Sequence, residues 1–248
     1  MKVLITGASS GMGRDMATIL SQRGYDLVLV ARRKDRLEEL AKQLKTKVEI
    51  EVLDLSIQEN CFKLFTKYKD IDILINNAGF GLFGFFNDTD IEKELQMINL
   101  NIKTVHILTK LYLQEMMTNN KGYILNVASS AGFLAGPRLN TYDATKNYVL
   151  KLTMAIYQEL KEQKSNVSIS ALCPGPVDTE FNKVAHGGFS VKPLKSMDVA
   201  NYAINKMFKK KLIIVPGLTV KLGVFFNRFL PYKSSLRITS KIQQKKQK

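Results

Sequence analysis

Tyr142 and Lys146 stand four residues apart in Tyr142-Asp143-Ala144-Thr145-Lys146, at the start of a long helical pattern, so their side chains share one helix face. A tyrosine with an ordinary pKa of about 10 carries protons poorly at neutral pH. A neighbouring ammonium favours the phenolate and draws that pKa down, which makes the pair a tuned acid/base. Such pairs are common on helix surfaces, and the company of this one gives it meaning. Ser129 lies 13 residues before Tyr142, just after one strand-like segment, and Asn76-Asn77-Ala78-Gly79 follows another. The carboxyl ends of strands are where open α/β sheets bind ligands.

A second constellation lies near the start of the chain, in Thr6-Gly7-Ala8-Ser9-Ser10-Gly11-Met12-Gly13, directly between a strand-like segment and a helical one. Gly7 permits a tight turn, Gly11 a close approach of backbone to a pyrophosphate, and Gly13 close helix packing, with free N–H groups of the helix start aimed at the anion. A dinucleotide is the natural ligand, although the spacing differs from the common G-x-G-x-x-G. The second strand ends in Ala31-Arg32-Arg33-Lys34, where an NAD site would place an acidic residue. Cations there suit a 2′-phosphate, so NADPH/NADP is expected over NADH. Arg32 is the expected phosphate partner; the alternative for this stretch is a solvated basic helix start, with Arg33 and Lys34 facing water.

These residues need a frame. Apolar, β-rich segments recur at Lys2–Thr6, Asp26–Val30, Val48–Leu53, Ile71–Ile75, Tyr123–Val127, Val167–Leu172 and Leu212–Val215. Several are continuous apolar runs, as in strands covered on both faces. Helical patterns fall between them, near 11–23, 34–44, 57–68, 90–118, 140–163 and 197–209. This alternation predicts an α/β fold of the Rossmann type, a doubly wound, mostly parallel seven-stranded sheet with helices on both faces. A chain of 248 residues accommodates one such domain. The expected division is 1–217 as the dinucleotide-binding catalytic part and 218–248 as a basic, amphipathic C-terminal helical extension of the same domain.

With these motifs in place the chain resembles the short-chain dehydrogenase/reductase family in its single-domain, NADP-preferring form, over nearly its whole length. The resemblance rests on the Thr6 to Gly13 turn, Asp54, Asn76 to Gly79, Ser129, the Tyr142-x-x-x-Lys146 pair and Pro174-Gly175-Pro176-Val177-Asp178-Thr179. It implies an oxidoreductase in which Tyr142 passes a proton to a substrate carbonyl oxygen while NADPH delivers hydride to its carbon. Lys146 would lower the Tyr142 pKa and bind the nicotinamide ribose, Ser129 would bond the carbonyl oxygen, and Asn101 would hold a water in the proton relay. Ser129 is preferred to Ser130 for its spacing to Tyr142, and Asn101 to Asn99 because Asn101-Ile102-Lys103-Thr104 fits the family pattern. Further cofactor contacts are implied at Ser9, Ser10 and Met12, at Asp54 and Leu55 near the adenine, and at Asn77, Ala78 and Gly79. Pro174, Gly175, Val177 and Thr179 complete them on the nicotinamide side. Residues 180–196, with Gly187-Gly188 as hinge and Phe181, Val184 and Phe189, would form a substrate lid.

Phe80, Leu82, Phe83, Phe85 and Phe86, interleaved with glycines, either line an apolar pocket or pack beneath the lid or against a partner subunit. The substrate expected is an apolar ketone or aldehyde, or the matching alcohol. Cys61 and Cys173 are far apart and only His106 and His186 accompany them, so no metal site is expected, and Cys173 reads as a small buried hydrophobe.

The 37 Lys and Arg exceed the 22 Asp and Glu, for a net charge of +15. Residues 199–248 hold twelve of those cations and no anion, so the excess is almost wholly C-terminal. In that stretch Leu222, Phe225, Phe226 and Phe229 recur at helical spacing, with Lys221 and Arg228 on a flank. Three roles suit it: a cap on the substrate pocket, a contact in a homodimer or homotetramer, or a peripheral contact with an anionic membrane. Packing on the pocket or a second subunit is preferred, because it needs no additional partner. A basic tail without a recognition helix or stacking motif gives no reason to expect nucleic acid. The chain enters its first strand without a leader, and a cytoplasmic protein is expected. The rival of a different class is a non-catalytic NADPH-binding regulator on the same fold.

Overall fold

Seven parallel strands form the centre of the molecule, seen in a computed structural model that describes residues 1–181 and 192–244. In chain order the first half comprises β1 (Lys2–Thr6), α1 (Gly11–Gln22), β2 (Asp26–Ala31), α2 (Lys34–Gln43), β3 (Val48–Val52), α3 (Gln58–Lys67) and β4 (Ile73–Asn76). The second half follows with α4 (Ile91–Ile98), α5 (Val105–Thr118), β5 (Tyr123–Val127), α6 (Asn140–Glu162) and β6 (Ser168–Leu172). Then come β7 (Val177–Asp178), β8 (Leu194–Lys195), α7 (Ser196–Phe208), β9 (Ile213–Ile214), α8 (Leu218–Asn227) and α9 (Tyr232–Gln244). The sheet order is β3-β2-β1-β4-β5-β6-β9, with every pairing parallel, while β7 and β8 form a separate two-residue ladder. The predicted doubly wound Rossmann-type architecture is what the chain adopts.

The continuous apolar runs explain the layers. Alternate residues of a strand face opposite sides. Val3, Ile5, Leu27, Leu29, Ile73 and Ile75 accordingly meet Met16 and Leu20 of α1 and Ala203 and Met207 of α7, while Leu4, Val28, Val30, Leu74 and Ile124 meet Leu64 of α3 and Leu108 and Tyr112 of α5. Both faces of the central strands are dry.

One part of this interior is polar. Asn126 on β5 is fully buried; its Oδ1 accepts from Asn76 Nδ2 at 2.9 Å and Thr109 Oγ1 at 3.3 Å, and its Nδ2 donates to Thr153 Oγ1 at 3.0 Å. The network ties β4 and β5 to α5 and α6 near the strand ends where the site lies.

Two expectations need correction. The helix read over 90–118 is broken by a π-helical turn, Asn99–Thr104, between α4 and α5. Thr104 Oγ1 donates to both the Leu55 and Asn99 carbonyls, and the Asn101 side chain bonds outside its own helix, so local bonds that periodicity does not reveal reshape this stretch. The fourth strand begins at Ile73 instead of Ile71; Asp72, just before it, exchanges bonds with Lys2, its amide donating to the Lys2 carbonyl and its Oδ2 accepting from the Lys2 amide, both at 2.9 Å.

Asn126→Leu should lower unfolding free energy by roughly 2–4 kcal/mol, since it strands buried partners, and Thr153→Val by about 1 kcal/mol. Urea unfolding followed by circular dichroism measures both; an Asn126→Leu midpoint equal to that of the parent would show that the network does not carry stability.

Candidate active site

The turn after β1 is shaped by contacts that only glycine tolerates. Gly7 has φ +67°, and a Cβ there would lie 2.8 Å from the Ala78 Cα; a Cβ on Gly13 would strike the Gly7 carbonyl. Asn77 Nδ2 donates to the Thr6 carbonyl at 2.9 Å and the Gly7 carbonyl at 3.2 Å, and Thr6 Oγ1 accepts from the amides of Asn77 and Ala78, both at 3.0 Å. The ends of β1 and β4 are thereby stitched together. The start of α1 faces a cavity of about 310 Å³ that Gly7, Ser9, Ser10, Gly11 and Met12 share with Arg32, Asp54, Leu55, Asn77, Ala78, Gly79 and Thr179. Gly13 stands behind this wall, packing the helix.

The arginines differ from the sequence reading. Arg32 does line the cavity, 3.5 Å from Asp54 Oδ2, but Arg33 is no mere solvated helix start. Its guanidinium donates to Ser9 Oγ at 3.0 Å, Ser10 Oγ at 2.7 Å and Glu180 Oε2 at 2.8 Å, and Arg36 donates to Glu180 Oε1 at 2.6 Å. The alternation of β2 carries past its end: Arg33 continues the Leu27-Leu29-Ala31 face toward α1, and Arg32 the Val28-Val30 face toward Asp54. That extension was the signal available for Arg33; Glu180 had none. Burial raises the Asp54 carboxyl, but hydrogen bonds from Ser56 and the Arg32 charge outweigh it and hold the group below its usual value. Glu180 is drawn from 4.5 to about 2 by hydrogen bonds from Arg33 and Arg36.

A second cavity, of about 370 Å³, shares Met12, Asn77, Gly79, Thr179 and Phe181 with the first. Ser129, Ser130, Tyr142 and Lys146 meet Phe83, Leu134, Leu139 and Ile242 there, with Pro174, Gly175 and Val177 along one side. Ser129 caps the short 3₁₀ turn Ser130–Phe133, its Oγ accepting from the Ala131 amide at 3.1 Å. The phenylalanine cluster divides: Phe80, Leu82 and Phe83 pack around Tyr142, whereas Phe85 and Phe86 face outward.

Burial dominates the titrating pair. It pushes the Tyr142 phenol well above its ordinary value, against a downward pull from its hydrogen bond with Ser129, and it brings Lys146 down to about 8. The expected direct pull of Lys146 on Tyr142 is not the governing effect here. The ammonium donates to the Val127 carbonyl at 2.8 Å and stands 5.8 Å from the phenol ring centre. Asn101 lines neither cavity. Its Nδ2 donates to the Phe80 carbonyl at 2.9 Å and Thr145 Oγ1 at 3.1 Å, and its Oδ1 accepts from the Phe80 amide at 3.2 Å, so the side chain clasps the loop after β4 against α6.

The C-terminal helices complete the second cavity, in keeping with the expected cap on the pocket, although the residues that do so were not singled out by the sequence pattern. Thr219, Val220, Thr239 and Gln243 line it; Thr239 Oγ1 donates to the Ala135 carbonyl at 2.9 Å and Asn227 Nδ2 to the Phe133 carbonyl at 3.4 Å. Of the expected lid, Glu180, Phe181 and residues 192–196 are seen, with the Phe181 ring centre 5.3 Å from that of Tyr142 and tilted 53° to it; Val184, Gly187, Gly188 and Phe189 lie outside the described residues.

This arrangement has known counterparts. The short chain dehydrogenase family matches residues 1–187, and the chain belongs to that family of oxidoreductases. An uncharacterized oxidoreductase of Staphylococcus saprophyticus is 32% identical over 226 residues, covering 88% of this chain and 95% of its own. Among solved structures, a short-chain dehydrogenase from Sphingobium yanoikuyae in complex with NADPH superposes with a TM-score of 0.83 at 28% identity, covering 92% of this chain and 93% of that one. The bulky-bulky ketone specific alcohol dehydrogenase from Comamonas testosteroni gives 0.78 at 28% identity, covering 88% and 86%.

The Glu180 clasp makes a stability prediction. A carboxyl held near 2 in the fold and near 4.5 when unfolded stabilises the protein above about pH 5, and the gain is lost as pH falls from about 4.5 towards 2. Since Glu180 is 41% exposed, Glu180→Gln should lose less than about 1 kcal/mol at pH 7. Thermal unfolding at pH 7, 4 and 2 should show the gap between variant and parent closing at the acid end; a constant gap would contradict the clasp.

Proposed function

We propose that the chain is an NADPH-linked reductase of an apolar ketone or aldehyde, with Tyr142 as the proton donor. The observation that carries this is the shared wall between the two cavities: a long ligand lying from the glycine turn past Asn77 and Gly79 ends beside Tyr142, Ser129 and Lys146. The residues fit a dinucleotide. The close approach of Gly7, Gly11 and Gly13, where any Cβ would be crowded, leaves backbone and helix N–H groups open to a pyrophosphate. Of the lining residues, Asp54 and Leu55 would hold the adenine end, Arg33 with Arg32 a 2′-phosphate, and Thr179, Val177, Pro174 and Gly175 the nicotinamide end. A nicotinamide dinucleotide bound there supplies the hydride.

The chain supplies orientation and the proton. Ser129 holds the carbonyl oxygen next to the Tyr142 hydroxyl, and Tyr142 gives that oxygen its proton as the carbon becomes an alcohol centre. The phenol is raised by burial, so it keeps its proton until the oxygen takes on negative charge. Lys146, protonated below about 8, stabilises the phenolate left behind. Asn101 positions the Phe80 loop and the π turn beside Lys146, placing the relay without touching the reacting atoms. Phe83, Leu134, Leu139 and Ile242 give the cavity its apolar lining, which suits a bulky, weakly polar carbonyl compound. Residues 1–217 then form the catalytic part and the C-terminal helices its outer wall.

Tyr142→Phe should reduce NADPH-dependent carbonyl reduction to background while cofactor still binds, and the parent's kcat should fall as pH rises through about 8. Absorbance of the nicotinamide across a panel of ketones and aldehydes measures both. Substantial turnover in Tyr142→Phe would refute the mechanism, and cofactor binding without turnover in the parent would mark a regulator instead.

Cofactor choice is separately testable. Arg33→Ala should raise the KM for NADPH more than about tenfold, leaving that for NADH nearly unchanged, and Arg32→Asp should shift preference towards NADH. An unchanged ratio of kcat/KM for the two cofactors in both variants would remove the 2′-phosphate assignment.

A further inference from the structure

The two C-terminal helices have inner faces that pack on the body and outer faces that none of the described residues covers. On α8, Val220 and Val224 face the body, while Leu222, Phe225, Phe226 and Phe229 face away. Phe226 is 59% and Phe229 71% exposed. The Phe225 ring lies 5.4 Å from that of Phe226 and 5.5 Å from that of Phe229, so the three form one continuous aromatic ridge. On α9, Leu236 and Ile238 extend the apolar surface. A contiguous apolar surface of this kind rimmed by charge marks a site of interaction.

The charge identifies what meets it. Lys221, Arg228, Lys233, Arg237 and Lys241 are all exposed along these helices, no acidic residue occurs anywhere from 199 to 248, and the sequence continues through Lys245, Lys246 and Lys248. A second copy docking through the same face would set these cations against their own equivalents with no anion to offset them. An anionic lipid surface offers the two things the face lacks: apolar depth for the phenylalanines and negative headgroups for the cations.

We propose that the α8–α9 face is a peripheral membrane-docking surface, with Phe225, Phe226 and Phe229 inserted at the acyl boundary of an anionic bilayer and the five cations on its headgroups. No helix among the described residues is long and apolar enough to cross a membrane, so the attachment is to one leaflet. Because Val220, Thr239 and Gln243 on the opposite faces of the same helices line the apolar cavity, docking sets that cavity against the lipid, and its ligands are drawn from lipid-soluble compounds. This last point rests on the reductase reading; the docking itself does not.

The full-length protein should pellet with vesicles of phosphatidylcholine and phosphatidylglycerol. On phosphatidylcholine alone, or at about 0.5 M salt, where screening shortens the reach of charge to a few ångströms, binding should be at least tenfold weaker. Lys221→Glu with Arg228→Glu, and separately Phe225→Ser with Phe229→Ser, should each weaken binding by more than about tenfold. All four positions are exposed, and unchanged NADPH binding and thermal unfolding would confirm that the variants fold. Absent pelleting, pelleting insensitive to salt and lipid charge, or a dimer in size-exclusion chromatography that the Phe225→Ser, Phe229→Ser variant dissolves would overturn the proposal, the last by showing that a second copy covers the face.

Discussion

The stitch between the ends of β1 and β4 is the contact on which the rest of the site depends. Thr6 offers one hydroxyl to two consecutive amides, and Asn77 returns two bonds to the carbonyls of Thr6 and Gly7. From there a connected path of hydrogen bonds leads across the molecule. The loop after Asn77 reaches Phe80, Phe80 is clasped by Asn101, Asn101 bonds Thr145, and Thr145 Oγ1 donates to the Tyr142 carbonyl at 2.7 Å. The glycine turn and the helix bearing Tyr142 and Lys146 are far apart in sequence, yet few bonds separate them. A pair of reacting groups carried by different elements needs such a link, because a misplacement of about 1 Å can lower a rate by about a hundredfold.

That path runs beside a dry sheet, and the sheet is not wholly apolar. The cluster of Asn76, Thr109, Asn126 and Thr153 gives both side-chain polar atoms of Asn126 partners, while the buried Asn76 Oδ1 has none among the described residues. Its bonds connect β4, β5, α5 and α6 at one level of the fold, where apolar packing alone would tolerate small slides of one strand against the next. Polar bonds have direction, and direction fixes the strand ends relative to each other. The apolar faces supply the bulk of the stabilisation, and these bonds supply position.

Much of this was legible in the sequence, for identifiable reasons. Strands covered on both sides leave unbroken apolar runs, so Val3-Leu4-Ile5 and Leu27 to Val30 announced a parallel sheet before any coordinates. Gly7 and Gly13 stood out because glycine is required where backbones meet. Other features left no such trace. The π turn at Asn99–Thr104 arises from side-chain bonds to Leu55 and Phe80, residues remote in sequence, while the apolar periodicity runs through it undisturbed. Basic residues at a helix start commonly face water, which leaves Arg33 open in the sequence, although extending the alternation of β2 by two residues turns it towards Ser9 and Ser10. The C-terminal helices were recognised as amphipathic, but their pocket-facing side is the one carrying Val220, Thr239 and Gln243, too mixed in character to register as a face.

The clasp of Glu180 on Arg33 and Arg36 gives the dinucleotide cavity its own resident anion. The two arginines of the fork share one carboxylate within the chain, so on the proposed reading an incoming phosphate would enter by exchange with Glu180 instead of by filling a bare positive site. Its affinity would then be the difference between two pairings, and a singly charged or poorly shaped group would gain less over the carboxylate already in place than a dianion of the right geometry. The Glu180 carboxylate is on the residue directly after Thr179 and directly before Phe181, whose ring packs at a tilt against Tyr142. Any exchange of anions at one end of the cavity would thus be mechanically adjacent to the wall of the other, with a single peptide unit between the counter-ion and the ring that borders Tyr142.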